Sequence, residues 1–549
     1  MRIIVIGAVA AGTSAAAKAR RNSEAADIII YEMDTFISYS GCGMPYYIGG
    51  ALKGAEQLTP RDPAFFKNKY NVDILTAHEA LHINPSEKAV SVKNMRTGEL
   101  FEDKYDKLIL ATGAKSKVPP IKGSDLEHVF TLRSIGDMYR IKKFIDEKRP
   151  GTAAIIGSGF IGLELCENFR KLGIGVTLIE LLDQVAPNLD QDIAAYVADH
   201  LKSNDVTVLT GASTQEIREN GIHLSDGTVI NSDLVIIAAG VRPNTELAKQ
   251  AGIEIGELGG IKVNRYMETS IPDIYACGDC IEQYHIVTGK PVYRPLGSTA
   301  NKTGRIAGEN VTGGTLAFRG VLGTGIFRVF NMTVAQTGLT EREAVREGYS
   351  VIASYNIKPN KPEYFGGKDI VIKSVADKTD GRLLGVQIVG EEGVDKRIDV
   401  FAMAITFGAK AEDLFHLDLA YAPPYSTTKD PVMYSGMILD NAIHKGRRLI
   451  SVKELDALKQ SGRKFNLIDT RVAKQYQHKH IEGAINIPHE RLRSEMANLE
   501  KDIPTVTYCN KGVTGNATQN ILINNGFQDV YTISGGYRTY EMSRATTER

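Results

Sequence analysis

The sequence predicts an α/β protein of several domains, and three observations carry that prediction. A short apolar strand, a glycine-spaced turn and a helix open the chain. The same pattern recurs from residue 151. A third, compact alternation of strands and helices follows residue 450. At 549 residues the chain exceeds what one hydrophobic core organises. The expected division is 1–112 with 241–320 as one discontinuous domain, 113–240 as a second, 321–445 as a third and 446–549 as a C-terminal module.

Composition excludes several classes. Hydrophobic residues make up 43% and charged residues 24%, an ordinary globular balance. Lys plus Arg and Asp plus Glu both number 65, so no net charge draws the chain to nucleic acid or to an anionic membrane. Five scattered cysteines are too few for a disulfide framework, which favours a reducing cytoplasm. No apolar run reaches membrane-spanning length. The apolar N-terminus carries spaced glycines, which argues against a signal peptide.

In chain order, Arg2–Ile6 reads as a buried parallel strand, and Gly7-Ala8-Val9-Ala10-Ala11-Gly12 turns into an alanine-rich helix. Val9 occupies the middle position of the G-x-G-x-x-G dinucleotide pattern. The second strand, 28–31, ends in Glu32, placed to accept hydrogen bonds from a ribose. Lys18, Arg20 and Arg21 follow on the helix. They are candidates for holding the phosphates of a nucleotide-bearing thiol such as coenzyme A, against the plainer reading of a solvated face.

Ser38-Tyr39-Ser40-Gly41-Cys42-Gly43-Met44-Pro45-Tyr46-Tyr47 comes next. Small residues flank Cys42 and leave its thiol uncovered, which makes it the candidate redox centre. No second cysteine lies nearby, so Cys42 works alone or with a sulfur from its substrate. The apolar strand 106–113 ends at Thr112-Gly113, a turn suited to crossing between domains; 234–244, with Gly240, reads as the return crossing.

The repeat is complete at Gly157-Ser158-Gly159-Phe160-Ile161-Gly162. Gly157 makes the tight turn, Gly159 lets pyrophosphate approach, and Gly162 permits close helix packing. The strand 176–179 ends in Glu180, which bonds a free 2′-hydroxyl and repels a 2′-phosphate, so NADH is favoured over NADPH. Farther on, 269–279 ends in Asp279, and Thr299 and Ala300 begin a helix whose amides can face a flavin. Cys277 and Cys280 form a C-x-x-C, but no second pair completes a metal site and none is expected.

Together these features resemble the single-cysteine branch of the pyridine nucleotide-disulfide oxidoreductases. The resemblance rests on two dinucleotide sites, Cys42 in S-x-x-x-C-G-M-P-Y-Y and Asp279 in the second flavin motif, and it covers residues 1 to about 445. It implies two Rossmann-like domains binding FAD and NADH, with Asp279 on the ribityl chain. It also implies an α+β dimerisation domain over 321–445 that lends residues to a partner in a homodimer. Tyr421 and Tyr425, in Y-A-P-P-Y-S-T-T-K-D-P, and Tyr364 are then candidates to assist a sulfur leaving group.

The C-terminal module resembles a rhodanese domain. It carries Asp469-Thr470-Arg471, then His480-Ile481-Glu482-Gly483-Ala484, and the strand 505–508 ending in Cys509. The loop 509–515 is placed to cradle a thiolate or persulfide. Thr514 stands where many such loops carry an arginine for thiosulfate.

The implied activity is NADH-driven reduction of persulfides, polysulfides or coenzyme A disulfide at Cys42, with Cys509 handling sulfane sulfur. The alternatives are an NADH oxidase or peroxidase cycling through a Cys42 sulfenic acid, and a flavin-bearing sulfur sensor or carrier. Small sulfur compounds are the expected partners, with no nucleic acid and no membrane.

Overall fold

A computed structural model describes residues 1–547, so residues 548–549 of the C-terminal module as bounded above lie outside it. The chain forms two compact units, Met1–Asp183 with Asp205–Gly323, and Gln184–Asn204 with Thr324–Arg549.

The first unit holds two five-stranded parallel sheets. One runs Ile274–Ala276, Lys107–Leu110, Arg2–Ile6, Asp27–Glu32, Asp73–Thr76. The other runs Val206–Leu209, Gly175–Ile179, Thr152–Ile156, Leu234–Ile237, Val129–Phe130. After their polar first residues, the central strands are buried apolar runs, Ile3 to Ile6 and Ala153 to Ile156, as parallel strands covered on both faces require. The two crossings pair with each other, Ala114–Ser116 against Val241–Pro243. Thr112 Oγ1 donates to the Asn244 carbonyl at 2.7 Å, and Asn244 returns an amide bond to Thr112 at 2.8 Å. Each parallel sheet has a small three-stranded antiparallel sheet following in its stretch of chain.

In the second unit the strands Gly325–Val329, Met332–Gly338, Leu383–Gly390, Asp369–Asp377 and Val351–Pro359 form an antiparallel sheet. The helix Pro431–His444 belongs to the same unit. A helix, Val394–Thr406, follows the sheet in the chain. The segment Gln184–Asn204 lies, by sequence order, within the second dinucleotide-type domain, yet it groups with this sheet. Lys373 accounts for that: fully buried on the sheet, it is held by Asp190 at 3.1 Å and by Asp192 and Glu341 at 2.7 Å. An ammonium so deep is tolerated only with such partners. The C-terminal module adds a parallel sheet, Leu449–Ile450, Val530–Ile533, Thr505–Tyr508, Asn466–Asp469, Ile485–Asn486. Among the described residues no helix is long and apolar enough to cross a membrane.

Candidate active site

The two glycine turns are copies of each other down to single bonds. Gly7 and Gly157 both take φ +105°, and a Cβ there would lie 2.3 Å from the Ala111 carbonyl oxygen and 2.5 Å from that of Ala238. Only glycine fits. Gly159 has φ −71°, which any residue adopts, so Val9 occupies the matching position without strain. The helices Ala10–Asn22 and Phe160–Lys171 both begin with neither a side-chain cap nor an acid in the first turn. A Cβ on Gly159 would meet nothing within 4 Å. Uncapped amides beside open space fit the pyrophosphate of a dinucleotide at each turn.

Glu32 and Glu180 have a job that the sequence does not reveal. Glu32 accepts the Ala8 amide at 2.7 Å and the Asp34 amide at 2.9 Å. Glu180 accepts the Ser158 amide and hydroxyl at 2.9 and 2.6 Å and the Leu182 amide at 3.0 Å. Each carboxylate ties its glycine turn to the neighbouring strand and keeps lone pairs for a further donor. Burial pushes the Glu32 carboxyl up. Thr299 and Ala300 are buried in the first turn of the helix Gly297–Asn310, where the Thr299 carbonyl accepts the Thr303 hydroxyl. Gly113 and Gly240, both at positive φ, face open space.

Cys42 is exposed, on the 3-10 turn Gly41–Gly43 that leads into the helix Met44–Ile48. Gly43 keeps the turn tight, since a Cβ there would lie 2.2 Å from Leu58 Cδ2. Desolvation in its recess pushes the Cys42 thiol up. Glu164 and Asp279 push the same way, and Arg133 opposes them. Glu164 itself titrates at about 7, raised by burial and restrained by a bond from the Tyr46 hydroxyl at 3.3 Å. Asp279 pairs through Oδ2 with Arg133 at 2.8 Å, which leaves Oδ1 without a protein donor among the described residues. Arg133 is a neighbour that no motif singled out, whereas Tyr46 lies in the Cys42 stretch and Glu164 follows the second glycine turn. Cys277 and Cys280 are fully buried, Cys280 donating to the Cys277 and Leu110 carbonyls, as structural thiols do.

A cleft of about 710 Å³ reaches Ser40, two residues before Cys42. Arg21, Arg61, Lys302 and Arg305 line it, and no acidic residue does. The expected basic trio divides among three environments. Arg20 is buried and spends its guanidinium on the carbonyls of Tyr70, Ser23, Glu24 and Asn71. Lys18 pairs with Glu309 at 2.6 Å. Of the three, Arg21 lines the cleft: Arg20, one position away, lies on another face of the helix, and Lys18, three positions away, is held by Glu309.

In the second unit Tyr421, Tyr425 and Tyr364 are all exposed. The stretch bearing the first two is anchored by buried Ser426 and Asp430. Ser426 donates to Asp430 at 2.6 Å, buried Arg397 pairs with Asp430 at 2.9 Å, and Asp430 caps the helix Pro431–His444. On the same helix, Asp440 meets His444 and Lys445 beside Glu412. The ion pairs of Asp440 account for that cluster of side chains.

Cys509 ends the strand Thr505–Tyr508 and is 7% exposed. Gly512, at φ +94°, turns its amide back onto Sγ at 3.2 Å and starts the helix Val513–Asn524. Asp469 and Arg471 brace this loop from beneath. The Arg471 guanidinium pairs with Asp469 at 2.6 Å, lies over the Tyr537 ring at 4.2 Å and reaches Asn510 at 3.4 Å. The Gly512 amide thus points onto the sulfur, an arrangement suited to an anionic sulfur.

Comparison with known proteins agrees with this geometry. Residues 1–299 match the pyridine nucleotide-disulphide oxidoreductase profile, 326–431 the dimerisation domain of that family, and 451–543 the rhodanese-like domain. The chain belongs to the pyridine nucleotide-disulphide oxidoreductases, a family that uses FAD and NAD(P)H, and carries a rhodanese-like domain at its C-terminal end.

Among curated relatives, it is 37% identical to the NAD(P)H sulfur oxidoreductase (CoA-dependent) of Pyrococcus furiosus, over 80% of this chain and 99% of that one. It is 36% identical to a protein of Methanocaldococcus jannaschii named NADH oxidase, over 79% and 97%. Reduced Bacillus anthracis CoADR-RHD superposes with a TM-score of 0.97 at 38% identity, covering 98% of both chains. The NAD-dependent persulfide reductase from A. fulgidus superposes at 0.92 and 37%, covering 98% of this chain and 100% of that one.

Proposed function

We propose that this chain uses NADH to reduce the sulfur-sulfur bond of coenzyme A persulfide, coenzyme A disulfide or polysulfide at Cys42. The observation that carries this reading is a single exposed thiol beside an acid-free cleft lined by four cations. Arg21, Arg61, Lys302 and Arg305 hold the phosphates of coenzyme A and aim its sulfur end toward Ser40 and Cys42.

Gly7–Gly12 with Asp279 would hold FAD and Gly157–Gly162 with Glu180 would hold NADH, which when bound would supply the electron pair. The Cys42 thiolate attacks the substrate's sulfur-sulfur bond, expels a thiol or hydrosulfide and becomes part of a new sulfur-sulfur bond. Two electrons and two protons then release the second thiol and restore Cys42. One cysteine suffices because the substrate brings the other sulfur. Arg133, beside Asp279, supports the thiolate. Tyr421, Tyr425 and Tyr364 serve the site of the second subunit in a homodimer, where a phenol donates to the departing sulfur. The protein works in the cytoplasm, and Cys509 receives or delivers sulfane sulfur.

A second reading, NADH oxidase or peroxidase, accounts for Cys42 as well but not for the basic cleft or the Cys509 cradle. Steady-state NADH consumption separates them. Anaerobic turnover with coenzyme A persulfide, coenzyme A disulfide or polysulfide exceeds turnover with oxygen or peroxide. Oxygen or peroxide as the only good acceptor would refute the proposal, and negligible turnover with all of them would indicate a sensor or carrier.

A further inference from the structure

The antiparallel sheet of the second unit runs close to the Cys509 loop. Its strand Val351–Pro359 runs against the turn that follows Val530–Ile533. The Tyr355 amide donates to the Ser534 hydroxyl at 2.8 Å, and a Cβ on Gly535 would stand 2.9 Å from Tyr355 Cβ. The same turn holds the cysteine, since the Tyr537 amide donates to the Cys509 carbonyl at 2.7 Å. Lys358, three residues along the strand from Tyr355, precedes Pro359, whose register partner Asp369 pairs with Lys511 of the Cys509 loop, and the charges of Cys509, Lys511 and Lys429 act on it.

Lys358 is half-buried, rests its ammonium over the Tyr434 ring at 4.2 Å and has no carboxylate partner among the described residues. Burial and Lys511 hold its pKa below the ordinary lysine value. The nearby acid, Asp369, is committed to Lys511 at 2.6 Å and to Arg538. A partly desolvated cation with two further lysines around it is costly unless an anion joins it.

We propose that Lys358 is the recognition residue of an anion subsite at the Cys509 loop, and that its ligand is a small persulfide or polysulfide anion. The sulfur-carrier role of Cys509 given above is the reading on which the ligand's identity rests. The Cys509 thiolate attacks the donor's sulfane sulfur. A bond forms from Sγ to that sulfur, the donor's sulfur-sulfur bond breaks, and its electron pair leaves on the shortened thiolate or hydrosulfide, which takes a proton from water. Nothing is oxidised or reduced overall. Lys358 draws the anion in and stays paired with the negative sulfur chain left on Cys509.

The test uses the full-length flavin-loaded chain and two near-isosteric probes, iodoacetate and iodoacetamide. Both alkylate a thiolate with loss of iodide, so the ratio of their rates at Cys509, read by peptide mass spectrometry, cancels changes in thiolate population. Lys358→Gln lowers the iodoacetate-to-iodoacetamide ratio about tenfold, Lys358→Arg keeps it within about threefold, and 0.5 M salt narrows the difference. Loading of Cys509 by inorganic polysulfide slows in parallel. An unchanged ratio in Lys358→Gln overturns the subsite, as does a wild-type Cys509 that reacts with neither probe. If the ratio responds but polysulfide never loads Cys509, the subsite stands and the sulfur-carrier reading falls.

Discussion

Cys42 and Cys509 solve the same chemical problem in opposite ways. Cys42 is exposed, and its recess, Glu164 and Asp279 hold its thiol up against the single cation Arg133. Cys509 is almost covered, with an inward amide on its sulfur and lysines around its loop. The first environment disfavours the thiolate, and the second suits the anionic sulfur of the proposed carrier role. A reductase centre and a carrier centre differ in this way, through their neighbours rather than through the cysteine itself.

The comparison breaks at its largest predicted effect if Cys42→Ser retains sulfur-dependent turnover. That variant loses about a thousandfold or more of its NADH consumption with polysulfide while its flavin spectrum persists. Cys509→Ser lowers sulfur delivery from a persulfide donor about a hundredfold, and coenzyme A disulfide reduction far less. A proportional loss of both would merge the two roles. Arg61→Ala or Arg305→Ala raises the half-saturating concentration of coenzyme A disulfide about tenfold with a smaller change in kcat, because each removes a phosphate contact.

The smallest effect sharpens the electrostatics of Cys42. Glu164 raises the thiol's pKa, so Glu164→Gln lowers it. Iodoacetamide then labels Cys42 about two- to fivefold faster at pH 8. The gain disappears below about pH 6, where Glu164, titrating at about 7, is already neutral in the wild type. Faster labelling that persists at pH 5.5 would assign the effect to something other than charge.

Much of this design is legible in the chain because it is local. Gly7 and Gly157 announce themselves since no other residue fits their turns, and Cys42 and Cys509 sit in short, distinctive stretches. What sequence order hides is whatever distant segments assemble. Arg61 and the pair Lys302 and Arg305 converge on one cleft from separate parts of the first unit, whereas Lys18 and Arg20, close to Arg21 in sequence, turn to other partners. Arg133 reaches Asp279 across 146 positions. Glu32 and Glu180 occupy the positions read for them, but their bonds to the turns are invisible without coordinates. Lys358 carries no motif at all, and only the approach of its strand to Ser534 brings it to Cys509.

The most direct test of a lone Cys42 acting with substrate sulfur is to mix the enzyme with coenzyme A disulfide without NADH and map the adduct by mass spectrometry. The account predicts one coenzyme A disulfide-linked to Cys42, one free coenzyme A released, and loss of the adduct when NADH is added. An enzyme that consumes NADH with coenzyme A disulfide, yet never carries coenzyme A on Cys42, would contradict it.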